Sequence, residues 1–535
     1  MSRAQVVPRL PGIALALGMV ALFLAIPYAS FTSDVANFGL MGNDILKYGY
    51  LPTLTYGQSY LFSMTPYAYA AVRALAGGWI SDIVALKLAG AIFSVSGILL
   101  IMESLLMAQR QTEKPQTAAM ALFALMIASS DAYLFDASLN SSNEISIFLV
   151  GALMFLTGRI DSAQFRGAAP LWRDWFFLGM TFSLMWICRP MLLTFALGSL
   201  PFLLAGSGAG KGWRSLNRPL ALLAAGAALG YAPMIAHWLF RAATWPYHWF
   251  LPLVIGGGIG VENAVGVLIH VILPRLMTML WEEAPARYVI TALWLTATFT
   301  LIITAALRQG KSAFTVTDRA WLIGQSSSIL IMAMIPSLSG DTGARRYCLH
   351  LLPMVAWMFC RFAFPMGRVA MVAIALAVAL AISSAGGWKD RLAYEYKRNG
   401  QIEQTVELAA PELQALNAVI FTDYWDAYLL SFITAERVIA EAFPWQITRR
   451  YGYFTEQMVR RRTVWLVCDG YATATQNQLA WELGEEAVGR MKRMDLTNMI
   501  VGRRCEAWDL PEPSMAVDLI NKYHPAFFRT SYPPR

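Results

Sequence analysis

The sequence predicts a mainly α-helical protein that crosses a membrane many times and ends in an α/β domain. Three observations predict it. Of 535 residues, 57% are hydrophobic and 14% charged, against about 25% charged in soluble domains; the mean hydropathy is +0.48. Apolar runs of the length a bilayer needs, about 20 residues, recur along the first three quarters of the chain. Beyond them the pattern changes to short Val-, Ile- and aromatic-rich segments alternating with helical ones.

Taken in order, the apolar runs predict eleven spans, at roughly 8–29, 82–107, 117–135, 143–158, 174–188, 190–206, 219–240, 288–307, 320–337, 347–362 and 367–386. The first is full-length and lacks a small-residue cleavage site, so it reads as a retained anchor. Arg189-Pro190 lies between the fifth and sixth runs, as a tight turn or as a kink in one long helix. Alternate loops carry the positive charge: Arg3 and Arg9; Arg110 and Lys114; Arg159, Arg166 and Arg173; Lys211, Arg214 and Arg218; Arg308, Lys311 and Arg319; Arg361 and Arg368. The positive-inside rule then puts the N-terminus in the cytoplasm, and explains the net charge of +8 without invoking nucleic acid.

With that orientation the bulk lies outside. Residues 1–386 form the transmembrane domain, and 31–81 its first outer loop. Within that loop VANFGLMGNDILKYG is a helical pattern, and Tyr60 to Trp79 reads as an interfacial helix. A second outer loop, about 241–287, begins TWPYHWF, an aromatic-belt signature whose Trp245, Tyr247, Trp249 and Phe250 read as interface anchors. The segment 387–535 is the size of a small domain. In it AVIFTDYW, RVIAEAF and TVWLVCD read as buried strands, and IEQTVELAAPELQAL, DAYLLSFIT and ATQNQLAWELGEEAVGRM as helices. It has no GxGxxG or P-loop, so a nucleotide role is unsupported. The five cysteines show no metal-ligand spacing. Cys468 and Cys505 would lie together in the exported segment, as a disulfide or as two buried thiols.

Several polar residues stand where chemistry at the outer surface would need them. Asp34 follows the first span. An ionisable group at a membrane edge is a functional candidate; here it also precedes a helical pattern, so helix capping is the structural alternative. Asp44, ten residues on, reads more as a surface acid. Glu144 opens the fourth span after ASLNSSN, either stabilising the helix dipole or supplying a second carboxylate, with Asp131 and Asp136 flanking the same turn. In SLSGDTGARRYCLHLLP, Arg345, Arg346 and Tyr347 lie at an outer helix start, where positive charge is disfavoured unless an anion keeps it there. Arginine forks bind phosphate oxygens bidentately; ordinary lipid headgroups would also serve. Arg189 is another outward arginine. His237, His248 and His270 lack metal-ligand spacing, and no metal site is assigned.

These features together resemble the membrane-embedded GT-C glycosyltransferases, in particular the branch of protein O-mannosyltransferases and lipid A aminoarabinose transferases. The resemblance rests on D34…ILKYGYLP…YGQSYLFSMTPYAYA, on LNSSNEISIFLVGALMFL and on R-R-Y-x-L-H-L-L-P. It covers the organisation of most of 1–385. It implies a multi-pass protein of the bacterial cytoplasmic (inner) membrane that transfers a sugar from a polyprenyl-phosphate donor to a glycan, lipid or protein acceptor. Asp34 would be the general base, and Arg346, Arg345 and Arg189 would bind the departing phosphate, with Glu144, Tyr347 and Asp44 at the substrate. No cofactor is implied with certainty; a divalent metal is an option, since related enzymes differ. Two departures concern the substrate more than the reaction. The branch's acidic pair is Asp34-Val35 here, and its Lys-Pro-Pro is replaced by Ser63-Met64-Thr65-Pro66. A transporter or flippase for lipid-linked saccharides, or a polymerase or ligase, is the alternative. Transporters favour inverted repeats, and none is evident.

Overall fold

The computed structural model describes residues 6–25, 33–49, 62–111, 115–130, 143–189, 192–208, 216–240, 296–304, 314–334, 351–363, 367–445, 462–510 and 512–523, with a few single positions between them. The chain divides into two compact units. One comprises Met1–Ala25, Tyr60–Ser63 and Lys87–Leu392; the other comprises Ile26–Ser59, Met64–Leu86 and Ala393–Arg535. The helices within 33–76 therefore belong to the same unit as the C-terminal segment.

The first unit is helical. Its elements are α1 (Leu10–Ala25), most of α4 (Asp82–Gln111), α5 (Gln116–Ser129), α6 (Asn143–Phe165), α7 (Trp172–Cys188), α8 (Leu193–Gly208), α9 (Asn217–Phe240), α10 (Val316–Met334), α11 (Leu351–Ala363) and the first half of α12 (Gly367–Ala415). Among the described residues four helices are long and apolar enough to cross a membrane: Val7–Ala25, Asp82–Gln111, Glu144–Phe165 and Asn217–Ala236. The protein is thus a membrane protein, and exposed Leu17, Leu229 and Leu10 suit a hydrocarbon solvent. Arg189 caps α7, donating its N–H to the Met185 carbonyl, and α8 begins at Leu193, so the fifth and sixth runs are separate helices.

Small residues set the helix packing, as expected where lipid supplies no hydrophobic drive between helices. A Cβ on Gly151 of α6 would lie 2.3 Å from the Gly97 carbonyl oxygen of α4. One on Gly226 of α9 would lie 1.8 Å from the Phe176 carbonyl oxygen of α7. Polar groups buried among these helices pair with one another. Arg361, counted above as an inner-loop charge, instead sits fully buried on α11 and donates to both oxygens of fully buried Asp318 on α10, at 3.1 and 3.0 Å. Asp161 of α6 accepts from the hydroxyl and backbone N–H of Thr317.

The second unit contains α2 (Ser33–Tyr48), α3 (Thr65–Ala76), the start of α4 and a five-stranded sheet with its helices. The strands are β1 (Val419–Thr422), β2 (Ala440–Ala442), β3 (Thr463–Cys468), β4 (Lys492–Asp495) and β5 (Cys505–Asp509), in the order β2-β1-β3-β5-β4. β1 runs parallel to β2 and β3, while β5 is antiparallel to β3 and β4. One face is covered by the end of α12 (Val406, Ala409, Leu413) and by Leu430 of α13 (Tyr424–Ile433). The other is covered by α14 (Ala472–Leu483), α15 (Glu485–Gly489) and α16 (Pro513–Tyr523), through Leu479, Val488 and Ile520. Buried on both faces, the parallel strands read as the apolar runs seen in the sequence. Cys468 and Cys505 face each other across β3 and β5 and form a disulfide.

Candidate functional site

The expected site residues fall in both units. In the first unit, α6 and α7 are antiparallel neighbours. An ion pair fixes their register: Arg159 of α6 meets Asp174 of α7 at 3.0 Å, with the aspartate almost fully buried. Moving fifteen residues along each helix from that pair, roughly 22 Å at 1.5 Å per residue, reaches Glu144 on α6 and Arg189 at the end of α7. An acid and an arginine are thereby brought to the same end of one helix pair. Glu144 is fully buried in the first turn of its helix; Arg189 is half-buried. Phe62 reaches the same helix end, its N–H donating to the Ile187 carbonyl at 3.0 Å.

In the second unit, α2 carries Asp34 in its first turn and Asp44 near its C-terminal end. Ser33 opens that helix, so Asp34 is a first-turn acid and not the residue preceding the helix. Asp44 is 4% exposed, which corrects its reading as a surface acid. The helix is gripped from one side. A Cβ on Gly39 would lie 2.1 Å from the Phe432 ring of α13, and one on Gly42 would lie 2.1 Å from the Tyr69 ring of α3. Tyr69 and Phe432 meet edge-to-face at 6.4 Å. The Tyr69 hydroxyl donates to Asn43 Oδ1 at 2.9 Å, and Lys47 pairs with Glu436.

Arg345, Arg346 and Tyr347 lie outside the described residues, as do Asp131, Asp136, His248, His270 and the aromatic segment TWPYHWF. Among the described residues no group of three or more His, Cys, Asp or Glu is placed to hold a metal ion.

One polar cluster of the second unit had no role in the sequence reading, although TDYWDAY contains half of it. Asp426 of α13 is 1% exposed. Its Oδ2 accepts from the Tyr471 hydroxyl and from Arg503 Nη1, each at 3.1 Å. The Thr422 hydroxyl, at the end of β1, lies 3.3 Å from the Tyr471 oxygen. Burial pushes the Asp426 carboxyl up to about 6; Arg503 and the Tyr471 hydrogen bond oppose this, while Asp423 adds to it. The signal for it is split among three segments, with Tyr471 45 residues and Arg503 77 residues from Asp426, which only the tertiary fold brings together.

No protein-family model matches the chain, and no curated protein matches it. Among solved structures it is similar to ArnT from Cupriavidus metallidurans bound to undecaprenyl phosphate, at 12% identity and a TM-score of 0.44 over 93% of this chain and 97% of that one. It is similar to the Archaeoglobus fulgidus oligosaccharyltransferase in complex with zinc and sulfate, at 14% identity and 0.46 over 91% and 72%. It is also similar to the arabinofuranosyltransferase AftD from Mycobacteria, at 15% identity and 0.37 over 79% of this chain and 29% of that one. At this level of identity and score the likenesses identify neither a substrate nor a role for any residue.

Proposed function

We propose that this chain is a glycosyltransferase that moves a sugar from a polyprenyl-phosphate donor to an acceptor hydroxyl at the outer face of a bacterial cytoplasmic membrane. In this reading the chain crosses the membrane eleven times, and everything after about residue 385 lies outside. The observation that carries it is the placement of Glu144 and Arg189 at one end of the α6–α7 pair. A buried carboxylate and an arginine at one end of a helix pair are costly in an apolar domain, and suit a polar ligand bearing both hydroxyls and phosphate.

The step balances without an added energy source. The acceptor O–H gives its proton to the Asp34 carboxylate, and its oxygen forms a bond to the anomeric carbon. The bond from that carbon to the phosphate oxygen breaks, and the polyprenyl phosphate leaves with the electron pair. Attack opposite the leaving group inverts the centre. Arg189, with Arg345 and Arg346, stabilises the charge that develops on the phosphate, while Glu144 orients the sugar or acceptor by hydrogen bonding.

The test uses the full chain in lipid nanodiscs and the polyprenyl-phosphate sugars extracted from the source membranes. Asp34→Asn should abolish transfer while leaving donor binding intact. Unchanged transfer in that variant would remove Asp34 from the mechanism. Movement of the lipid-linked sugar across the bilayer without transfer would identify a flippase instead.

A further inference from the structure

Three loops of the C-terminal sheet meet at one edge. β1 and β3 are adjacent and parallel, with Phe421 level with Trp465, so both end at the same edge of the sheet. The antiparallel β5 begins there, with Cys505 opposite Cys468. The helix that follows β1, α13, covers one face, whereas the helix that follows β3, α14, covers the other. Adjacent parallel strands whose helices leave to opposite faces open a crevice beyond their carboxyl ends, and open α/β sheets bind their ligands there. The Asp426 cluster lies at that switch point. Thr422 is the last residue of β1, Tyr471 ends the loop after β3, and Arg503 precedes β5 by two residues. The floor of the cluster, Thr422 and Asp426, is buried. Its outer end is not: the Arg503 side chain is 38% exposed and lies over the Tyr471 ring at 5.2 Å. A Cβ on Gly470 or Gly502 would meet no atom within 4 Å, so both loops border open space. The Cys468–Cys505 bridge ties the two loops together at their roots. Apolar side chains would close this edge at lower cost than a buried carboxylate with its arginine.

We propose that this crevice is a glycan-binding site of the C-terminal segment, with Asp426, Tyr471 and Arg503 hydrogen-bonding the hydroxyls of a neutral saccharide. A carboxylate accepts from sugar hydroxyls, a guanidinium donates to them, and a tyrosine hydroxyl does both. A few convergent polar groups at the edge of an apolar core orient a small ligand. The charge balance selects a neutral one. Asp423, Asp426 and Asp469 face Arg503 and Arg504 on these loops, which leaves no positive surplus for an anion, and no glycine-rich loop is present to cradle phosphate. This binding is independent of the transfer reaction proposed above, since every group involved lies within residues 422–505.

The probe is the set of neutral oligosaccharides released from the source cell envelope and labelled with a fluorophore at the reducing end. The protein is the full chain in lipid nanodiscs, with affinity expressed per folded molecule. The unaltered chain should bind some of these glycans saturably. Arg503→Gln and Tyr471→Phe should each weaken that binding by about 10-fold, and Arg503→Lys, which keeps a donor and the charge, should retain part of it. Arg503 is half-exposed, so its variants cover failure of the tyrosine variant to fold. Absence of saturable binding to the unaltered chain would overturn the proposal. So would a lower thermal midpoint with unchanged affinity in Arg503→Gln and Tyr471→Phe, which would make the cluster purely structural. Displacement of the bound glycan by inorganic phosphate would assign an anion site and overturn it as well.

Discussion

The ring of Phe432 occupies the space that a side chain at Gly39 would need. Two segments almost four hundred residues apart are thereby held together, and α2 and α13 pack at backbone distance. Gly39→Val cannot be accommodated by a small shift, since the ring is itself buried. The expected outcome is a lower thermal midpoint and a newly protease-sensitive first loop. Phe432→Ala leaves a cavity instead and should cost about 3 kcal/mol or more, read as a fall in midpoint by scanning fluorimetry.

The Cys468–Cys505 bridge closes a stretch of 37 residues that contains α14, α15 and β4. A bridge over a loop of that length stabilises by about 2–4 kcal/mol, mainly by restricting the unfolded chain. The Cys468→Ser, Cys505→Ser double variant, or reductant added to the unaltered protein, should lower the unfolding temperature of the sheet region. Equal midpoints under oxidising and reducing conditions would contradict this.

Asp426 gives the sheet region a specific pH dependence. Its carboxyl rises from 3.8 unfolded to about 6 folded, so the folded state holds its proton over a range where the unfolded state has lost it. Stability from this group is fully present below about 4 and falls as pH rises to about 6, by roughly 3 kcal/mol in all. The difference in midpoint between pH 4 and pH 7 should therefore shrink in Asp426→Asn. An identical pH profile in that variant would assign the dependence elsewhere.

Arg361 and Asp318 are both fully buried and pair through two hydrogen bonds. Removing one partner leaves an uncompensated charge, at a cost of about 3–5 kcal/mol. Asp318→Ala should reduce the yield of folded protein sharply, and Asp318→Ala with Arg361→Leu should recover part of it. A double variant worse than the single would show that the pair does not account for the loss.

Arg189 provides a binding test that needs no knowledge of the sugar. Undecaprenyl phosphate serves as the probe, standing for the leaving group of the proposed reaction. A charge-assisted hydrogen bond contributes about 1.5–3 kcal/mol, so Arg189→Gln should weaken binding by roughly 10-fold or more, and high salt should narrow the gap. Equal affinities at low salt would take Arg189 out of the phosphate site.

Much of this architecture was legible along the chain because its cause is local. Ten of the eleven apolar runs coincide with a helix, four of them among the candidate membrane spans, and β1, β2 and β3 fall inside the three segments read as strands. Helix α14 ends and α15 starts at Gly484, whose φ of +88° stops a pattern that reads as one helix. β4 was missed because Lys-Arg-Met-Asp is mostly exposed and carries no apolar run. The final span and the helical pattern after it read apart because Gly386-Gly387 and Asn399-Gly400 lie between them, yet one 49-residue helix runs through both pairs.

By itself the sequence determined that this is a membrane protein with an α/β segment after its last apolar run, because composition and periodicity report the solvent each residue meets. It also nominated Asp34, Glu144 and Arg189 by their positions at the ends of apolar runs. The tertiary structure alone decided which residues are neighbours. It set Glu144 level with Arg189 through the Arg159–Asp174 register, grouped α2 with the C-terminal sheet through Gly39 and Phe432, and turned Asp44 and Arg361 from surface charges into buried ones. The physical reason is that burial and pairing are properties of neighbours distant in sequence, and no local pattern encodes the close backbone approach that a glycine permits.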